Sequence, residues 1–281
     1  MSLVQMHVAV ILAGGTGLFP KYLATSPMVT ACVRCFFGAA TLFLIARVLG
    51  ISLRLDRGRT LVAFMLSGVI LAFHWFAFFQ AIAVSTVAIG VLGFGSLTLF
   101  STFLEPLVFR ERLRAVDVAT GALVVAGLLL ITPEFDLGNT HTQGLLWGIA
   151  SGFLYAIFFL ITRSSVRAVP PVTVAMYQQG FAGVVLLPLV WTTVGATSGR
   201  DWATLLLLGV VFTGLMQWMV ASSLRHIKVQ TGSVLLSLEP VYAILLAWAL
   251  LSERPDLRTV AGGVLLCGAV LWTSLRPRRS A

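Results

Sequence analysis

The sequence predicts an all-α integral membrane protein in which ten transmembrane helices form two inverted five-helix repeats around a central cavity. Three observations carry this fold class: an apolar composition cut into helix-length runs, a collinear repeat, and an uneven distribution of basic residues. Of 281 residues, 58% are hydrophobic and 10% charged, and the mean hydropathy is +0.99. A soluble domain of this size needs a charged exterior, which 19 basic and 10 acidic residues do not cover. The apolar runs are about 20 residues long, enough to cross roughly 30 Å of hydrocarbon as helix. They are continuous instead of alternating with period two, which excludes a β-barrel.

Hydropathy places the spans at 4–23, 28–48, 61–82, 86–108, 115–133, 143–163, 171–193, 202–224, 229–251 and 258–275. In the first, Met1–Met6 carries no basic residue and no cleavage site follows, so this span reads as a retained helix instead of a signal peptide. Gly14-Gly15-Thr16-Gly17, with Pro20, gives it a weak point that can expose backbone to a cavity. The second opens at Pro27 and contains Arg34. Cys32 and Cys35 read as C-x-x-C there, but inside a membrane helix, with Cys267 far away, that spacing promises neither redox nor zinc chemistry. The third carries His74, Trp75 and Gln80 among Phe73, Phe76, Phe78 and Phe79, which cover more than one face, so some of these rings meet lipid.

In the fourth span Gly90, Gly93, Gly95 and Ser96 crowd one stretch, a candidate gating bend. Glu105-Pro106, near its end, reads as interfacial. The fifth follows Glu111-Arg112 and holds Gly121 and Gly127. The sixth has a Gly144, Gly148, Gly152 stripe suited to close helix packing, with Ser151 and Tyr155 one turn apart. The seventh brings Tyr177, Gln178 and Gln179, and the eighth Thr213, Gln217 and Trp218. Glu239-Pro240 sits in mid-span of the ninth; the tenth follows Glu253-Arg254 and holds Gly262 and Gly268. The links are short, with turn-formers Gly138-Asn139 and Ser198-Gly199, and leave no room for an inserted soluble domain.

The repeat is read from collinear pairs. Pro27 corresponds to Pro171, Arg34 to Gln178, His74-Trp75 to Gln217-Trp218, Glu111-Arg112 to Glu253-Arg254 and Gly121 to Gly262, at offsets of 144 falling to 141. The halves are 1–138 and 139–281. Five spans per half is an odd number, so the second copy is upside down, the arrangement from which many secondary transporters build an alternating-access site. Charge agrees. With both termini cytoplasmic, fourteen basic residues fall inside and four outside, a strong positive-inside bias. Related loops differ accordingly: Arg110–Arg114 nets +2 inside, whereas Glu253–Arg258 nets zero outside. The overall +9 therefore orients the chain and meets anionic lipid; it is no nucleic-acid surface.

Polar groups inside a bilayer are expensive and mark candidate sites. The residues read as substrate-binding are His74, Trp75, Tyr155, Tyr177, Gln178, Thr213, Gln217 and Trp218. His74-Trp75 and Gln217-Trp218 would approach the midplane from opposing halves, His and Gln offering hydrogen bonds and Trp a flat face. The bland alternative is an interhelical hydrogen bond with lipid-facing indoles. Glu239 takes up a proton, pairs with Arg34, or accepts hydrogen bonds from backbone freed by Pro240. No nucleotide loop, metal-ligand helix or nucleophile elbow is present. Neither enzymatic chemistry, nor a metal, nor a cofactor is expected, and transport uses a gradient or runs downhill.

Together, Glu111-Arg112-Leu113 with Gly121 and Gly127, Leu238-Glu239-Pro240 followed by Glu253-Arg254 and Gly262, and Pro27 ahead of Arg34 resemble the ten-helix EamA-type exporters of the drug/metabolite transporter superfamily. The resemblance covers essentially the whole chain and implies rocking halves about a central cavity. His74-Trp75 and the Thr98–Arg112 stretch are similar to aromatic amino-acid exporters of that group. This implies export of neutral, including aromatic, amino acids by a monomer in a bacterial inner membrane. The residues support a neutral or zwitterionic substrate independently. Val4–Leu23 lacks the carboxylate that small multidrug exporters use, and Arg34 alone is too little for a sugar phosphate. Nucleosides and drugs remain alternatives, as does, more remotely, a structural subunit that transports nothing.

Overall fold

The structure, a computed structural model, describes residues 2–55, 58–110, 113, 115–131, 136–236 and 238–274. The motif pair Glu111-Arg112 and the charges Arg57, Arg114, Glu134, Arg276, Arg278 and Arg279 lie outside the described residues. Helix accounts for nearly all of the described chain, in ten spans. These are Ser2–Thr16 with Phe19–Tyr22, Pro27–Val48, Gly58–Val84, Val87–Phe94 with Leu97–Phe109, Ala115–Ile131, Thr140–Ser165, Pro171–Val190, Gly199–Leu224, Val229–Leu236 with Glu239–Leu251, and Leu257–Ser274. Eight are long and apolar enough to cross a membrane; the fifth and tenth have shorter apolar stretches, Val118–Ile131 and Leu257–Ala269.

The even-numbered spans start at side-chain caps. Ser26, Thr86, Asn139 and Ser198 each accept a hydrogen bond from the backbone of the first helical turn. Asp256 Oδ1 does the same for the Thr259 amide at 2.7 Å. Each cap satisfies one of the four amides that a helix start leaves open. Because consecutive spans alternate in direction, these five caps share one end of the bundle. Arg47, Arg110, Arg163, Arg167, Arg225 and Lys228 gather at the opposite end, called the basic end below.

The main helix contacts join spans of the first half of the chain to spans of the second. The second span packs on the seventh, the fourth on the ninth and the fifth on the tenth. The remaining major contacts come in exchanged pairs: third with sixth and eighth with first, third with seventh and eighth with second, fourth with sixth and ninth with first. A pseudo-two-fold that swaps the halves produces such a pattern. The sixth-span glycines make one of these contacts possible. A Cβ on Gly148 would lie 2.8 Å from the Gly90 carbonyl and 2.9 Å from Gly93 Cα, so the fourth and sixth helices touch backbone to backbone. Gly90 and Gly93 thus serve packing, while Gly95 lies at the break in the fourth span between Phe94 and Leu97. In the ninth span the described helices end at Leu236 and restart at Glu239, with Leu238 in a turn at the corresponding level. The three cysteines are buried, and none forms a disulfide among the described residues.

Candidate functional site

The breaks lie where the helices surround a closed central cavity. Its wall comprises Ala13, Thr16, His74, Trp75, Phe78, Phe94, Tyr155, Met216, Leu236 and Glu239, and it has room for about one water molecule. The contributing spans are the first, third, fourth, sixth, eighth and ninth, three from each half. Thr16 arrives there because the first helix ends at this residue, at the glycine-rich weak point. Glu239 opens the second half of the ninth span, so its carboxylate sits at a helix N-terminus, where the dipole favours negative charge.

His74 is fully buried. Its Nδ1 faces Ser151 of the sixth span, 3.1 Å from the carbonyl oxygen and 2.9 Å from Oγ. A carbonyl only accepts, so Nδ1 carries the proton in the tautomer that satisfies it, and in the neutral ring Nε2 is left as an acceptor. That Nε2 and Trp75 Nε1 find no hydrogen-bond partner among the described residues. The Tyr155 ring lies 4.4 Å from the His74 ring, and its hydroxyl accepts from Gln217 Nε2 at 3.2 Å. Tyr155 therefore ties the two repeat-related positions, His74 and Gln217, into one cluster.

Arg34 supports this cluster from behind. Its guanidinium carbon lies 3.6 Å from the Trp75 ring centroid. Nε donates to Thr213 Oγ1 at 2.8 Å and Nη2 to the Phe212 carbonyl at 3.1 Å. Both acceptors belong to a π-helical stretch, Val210–Leu215, where the widened turn detaches carbonyls from the usual ladder. Arg34 thus directs Nε and Nη2 to the eighth span and its flat face to the indole, while Nη1 finds no hydrogen-bond partner among the described residues. Among the described residues Glu239 has no ion-pair partner, so of the three alternatives read for it the pair with Arg34 is not formed. The reason is geometric: the π-helical acceptors are closer.

Of the eight residues read as substrate-binding, His74, Trp75 and Tyr155 line the cavity; Thr213 and Gln217 touch Arg34 and Tyr155 without lining it, and the other three lie farther away. The Tyr177 hydroxyl donates to the Leu53 carbonyl at 3.0 Å, and its ring stacks on Phe64. Gln178 Nε2 donates to Thr162 Oγ1 at 3.0 Å, joining the sixth and seventh spans. Trp218 is half-buried against the hydrophobic core, one residue and about 100° of helix rotation from the inward Gln217. Thr16, Phe94 and Met216 are cavity residues that sequence reasoning missed; only Thr16 was signalled, by its glycine neighbours. Glu105, read near the end of its span, lies there buried at 3% exposure and forms an ion pair with Arg163.

A profile of the EamA-like transporter family matches residues 1–132 and 142–275. An uncharacterized transporter of Bacillus subtilis, YxxF, is 22% identical over 287 residues, covering 100% of this chain and 91% of that protein. An uncharacterized transporter of Archaeoglobus fulgidus is 26% identical over 270 residues, covering 94% and 93%. The pseudopaline exporter CntI of Pseudomonas aeruginosa is 26% identical over 240 residues, covering 85% and 82%. A solved crystal structure superposes with a TM-score of 0.75 at 17% identity over 99% of both chains, which establishes likeness of fold alone. These relatives are transporters, not enzymes. A multi-pass helical bundle with a small, mostly apolar cavity at its centre that holds one carboxylate and one imidazole, matched in both halves by one family profile, belongs to the EamA-like transporter family.

Proposed function

We propose that this transporter exports neutral amino acids, aromatic ones included, or similar small metabolites, by alternating access between its two five-helix halves. The observation that carries the reading is the pairing of charge and aromatic surface in the closed cavity. Glu239 and His74 Nε2 offer acceptors for an ammonium group, Trp75 Nε1 offers a donor for a carboxylate, and the Phe78, Phe94 and Tyr155 rings surround them. A zwitterion with an apolar side chain satisfies all three kinds of wall, while a multiply charged phosphate leaves charge uncompensated. Room for one water excludes an amino acid from the closed form, so substrate enters only when the halves part. In this reading Gly95 is the bend, Gln217 holds Tyr155 in place, and Thr213 anchors Arg34 as a structural charge. The basic end faces the cytoplasm of a bacterium, and one chain suffices for transport.

Purified protein in proteoliposomes should release radiolabelled neutral amino acids, and His74→Ala and Gln217→Ala should each lower the rate while the protein remains folded. Absence of neutral amino-acid flux alongside flux of nucleosides or cations would overturn the substrate class. Unchanged kinetics in both variants would remove the central site. The pseudopaline exporter among the relatives supports export as the direction, and favours a second reading in which the cargo is a different metabolite. The same liposomes, loaded with nucleosides or drugs, test it.

A further inference from the structure

Each end of the bundle is shut by the same three-part contact, and the two contacts are related by the repeat. At the basic end the Glu105 carboxylate, on the fourth span, pairs with Arg163 in the last turn of the sixth and accepts the backbone N–H of Val229, the first residue of the ninth, at 3.0 Å. At the opposite end the Glu253 carboxylate, just after the ninth span, lies 3.7 Å from Lys21 in the last turn of the first span. It accepts the N–H of Val87, the first residue of the fourth, also at 3.0 Å. Val87 and Val229 are 142 positions apart, the spacing that also separates Glu111 from Glu253; Arg163 lies two residues short of the position that the 144-residue spacing of Pro27 and Pro171 gives for Lys21, in the same last turn of its span.

The carboxylates break this correspondence. Repeat spacing from Glu105 leads to Ala247, not to Glu253. Two acids at inequivalent positions thus make equivalent contacts, each joining a cation and a helix start from one half to the fourth or ninth span of the other. Conserved ancestry of a single ion pair does not give this; a shared requirement at both ends does.

The clamps also sit on movable pieces. The outer one joins the half-helices Val87–Phe94 and Glu239–Leu251, the basic-end one joins Leu97–Phe109 and Val229–Leu236. The breaks between these halves lie at the level of the cavity, where Phe94, Leu236 and Glu239 line it. Both clamps are closed, and the space between them admits about one water. They differ in exposure: the Arg163 and Glu105 side chains are 8% and 4% exposed, those of Lys21 and Glu253 26% and 24%.

We propose that these two clamps are the gates of the transport cycle: release of Glu253 opens the cavity to the end opposite the basic one, and release of Glu105 opens it to the basic end. The proposal rests on the alternating-access reading above, though not on its substrate.

A cysteine placed in the cavity by Thr16→Cys reports the state of both gates through membrane-impermeant maleimide added to either side of oriented vesicles, with the native cysteines as background. Glu253→Gln and Lys21→Met should each raise labelling from the outer side at least about fivefold and leave the basic side unchanged. Glu105→Gln should do the reverse. Should loss of the buried pair prevent folding, the two exposed outer variants decide the matter, together with a Lys21→Cys, Glu253→Cys disulfide that should block outer labelling until reduced. Equal change on both sides, or no change in the outer variants, would overturn the gates. Side-selective labelling without neutral amino-acid flux would leave the gates standing and remove the substrate.

Discussion

The contact between the Arg34 guanidinium and the Trp75 indole can be measured in isolation by a double-mutant cycle of Arg34→Met and Trp75→Leu. Arg34 is 0% exposed, Trp75 4%, and the cation lies 3.6 Å from the ring centroid. Exposed cation–π pairs contribute about 0.5–1 kcal/mol and desolvated ones about 2. Polar contacts between membrane helices average about 0.6 kcal/mol and reach about 1.7, because the unfolded chain in the bilayer finds other partners. A coupling energy near 1.5 kcal/mol is therefore expected, roughly a tenfold change in the unfolding equilibrium. The Arg34→Met single variant should cost more, about 3 kcal/mol, since it also abandons the charge-assisted bonds to Thr213 and the Phe212 carbonyl. Equilibrium unfolding in mixed micelles, followed by tryptophan-independent helix content, supplies all four corners. A coupling below about 0.3 kcal/mol would mean that the ring does not hold the cation, and that Trp75 owes its position to packing alone.

Two further expectations concern the scaffold. Gly93→Ala places a Cβ 2.9 Å from the Leu145 carbonyl and 3.0 Å from Gly148 Cα, backbone that cannot turn aside, and should destabilise by about 1–3 kcal/mol; Gly180→Ala, whose nearest neighbour is Ala39 Cβ at 3.9 Å, should be neutral within about 0.5 kcal/mol in the same assay. Hydrogen bonds from the Thr259 side chain and backbone hold the Asp256 carboxyl below its ordinary value of 3.8. Since the charged form is the one held, its support of the tenth helix is present above 3.8 and is lost only as pH falls through the lowered midpoint, which an NMR titration of the carboxyl carbon should locate. Asp256→Ala should cost that helix start about 1 kcal/mol, seen as faster amide exchange at Thr259.

The spans were legible to within a few residues because two independent signals coincide there: apolar runs of bilayer length, and starts such as Ser26-Pro27, Asn139 and Ser198 that close a helix end. Their number was legible for the same reason. The site was legible only in part. His74, Tyr155 and Gln217 meet because rare polar residues in lipid-length helices have few places to go. The partner of Arg34 was not, because it depends on a π-helical turn at Val210–Leu215 that no residue type announces. The burial of Glu105 was hidden for a different reason: its nearness to the end of a span was legible, but its partner Arg163 lies 58 residues away in sequence. Trp218 and Gln178 show the limit of reading adjacent residues together, since neighbours on a helix diverge by about 100°.

The five capped helix starts bear on how the chain enters a membrane. Four of them, at Ser26, Thr86, Asn139 and Ser198, are sealed by neutral side chains, and the fifth by the single carboxylate of Asp256. Whichever end of the bundle crosses the hydrocarbon during insertion must shed water from its loops, and each cation carried through adds to the barrier. Besides the four neutral caps, two carboxylates, Asp256 and Glu253, accept amides at the capped end; the opposite end bears the arginines at helix C-termini, where the dipole favours them. In the orientation proposed above, the arrangement that completes the folded helices also leaves the end to be translocated with the fewer cations, so the same residues would serve both the folded helices and their insertion.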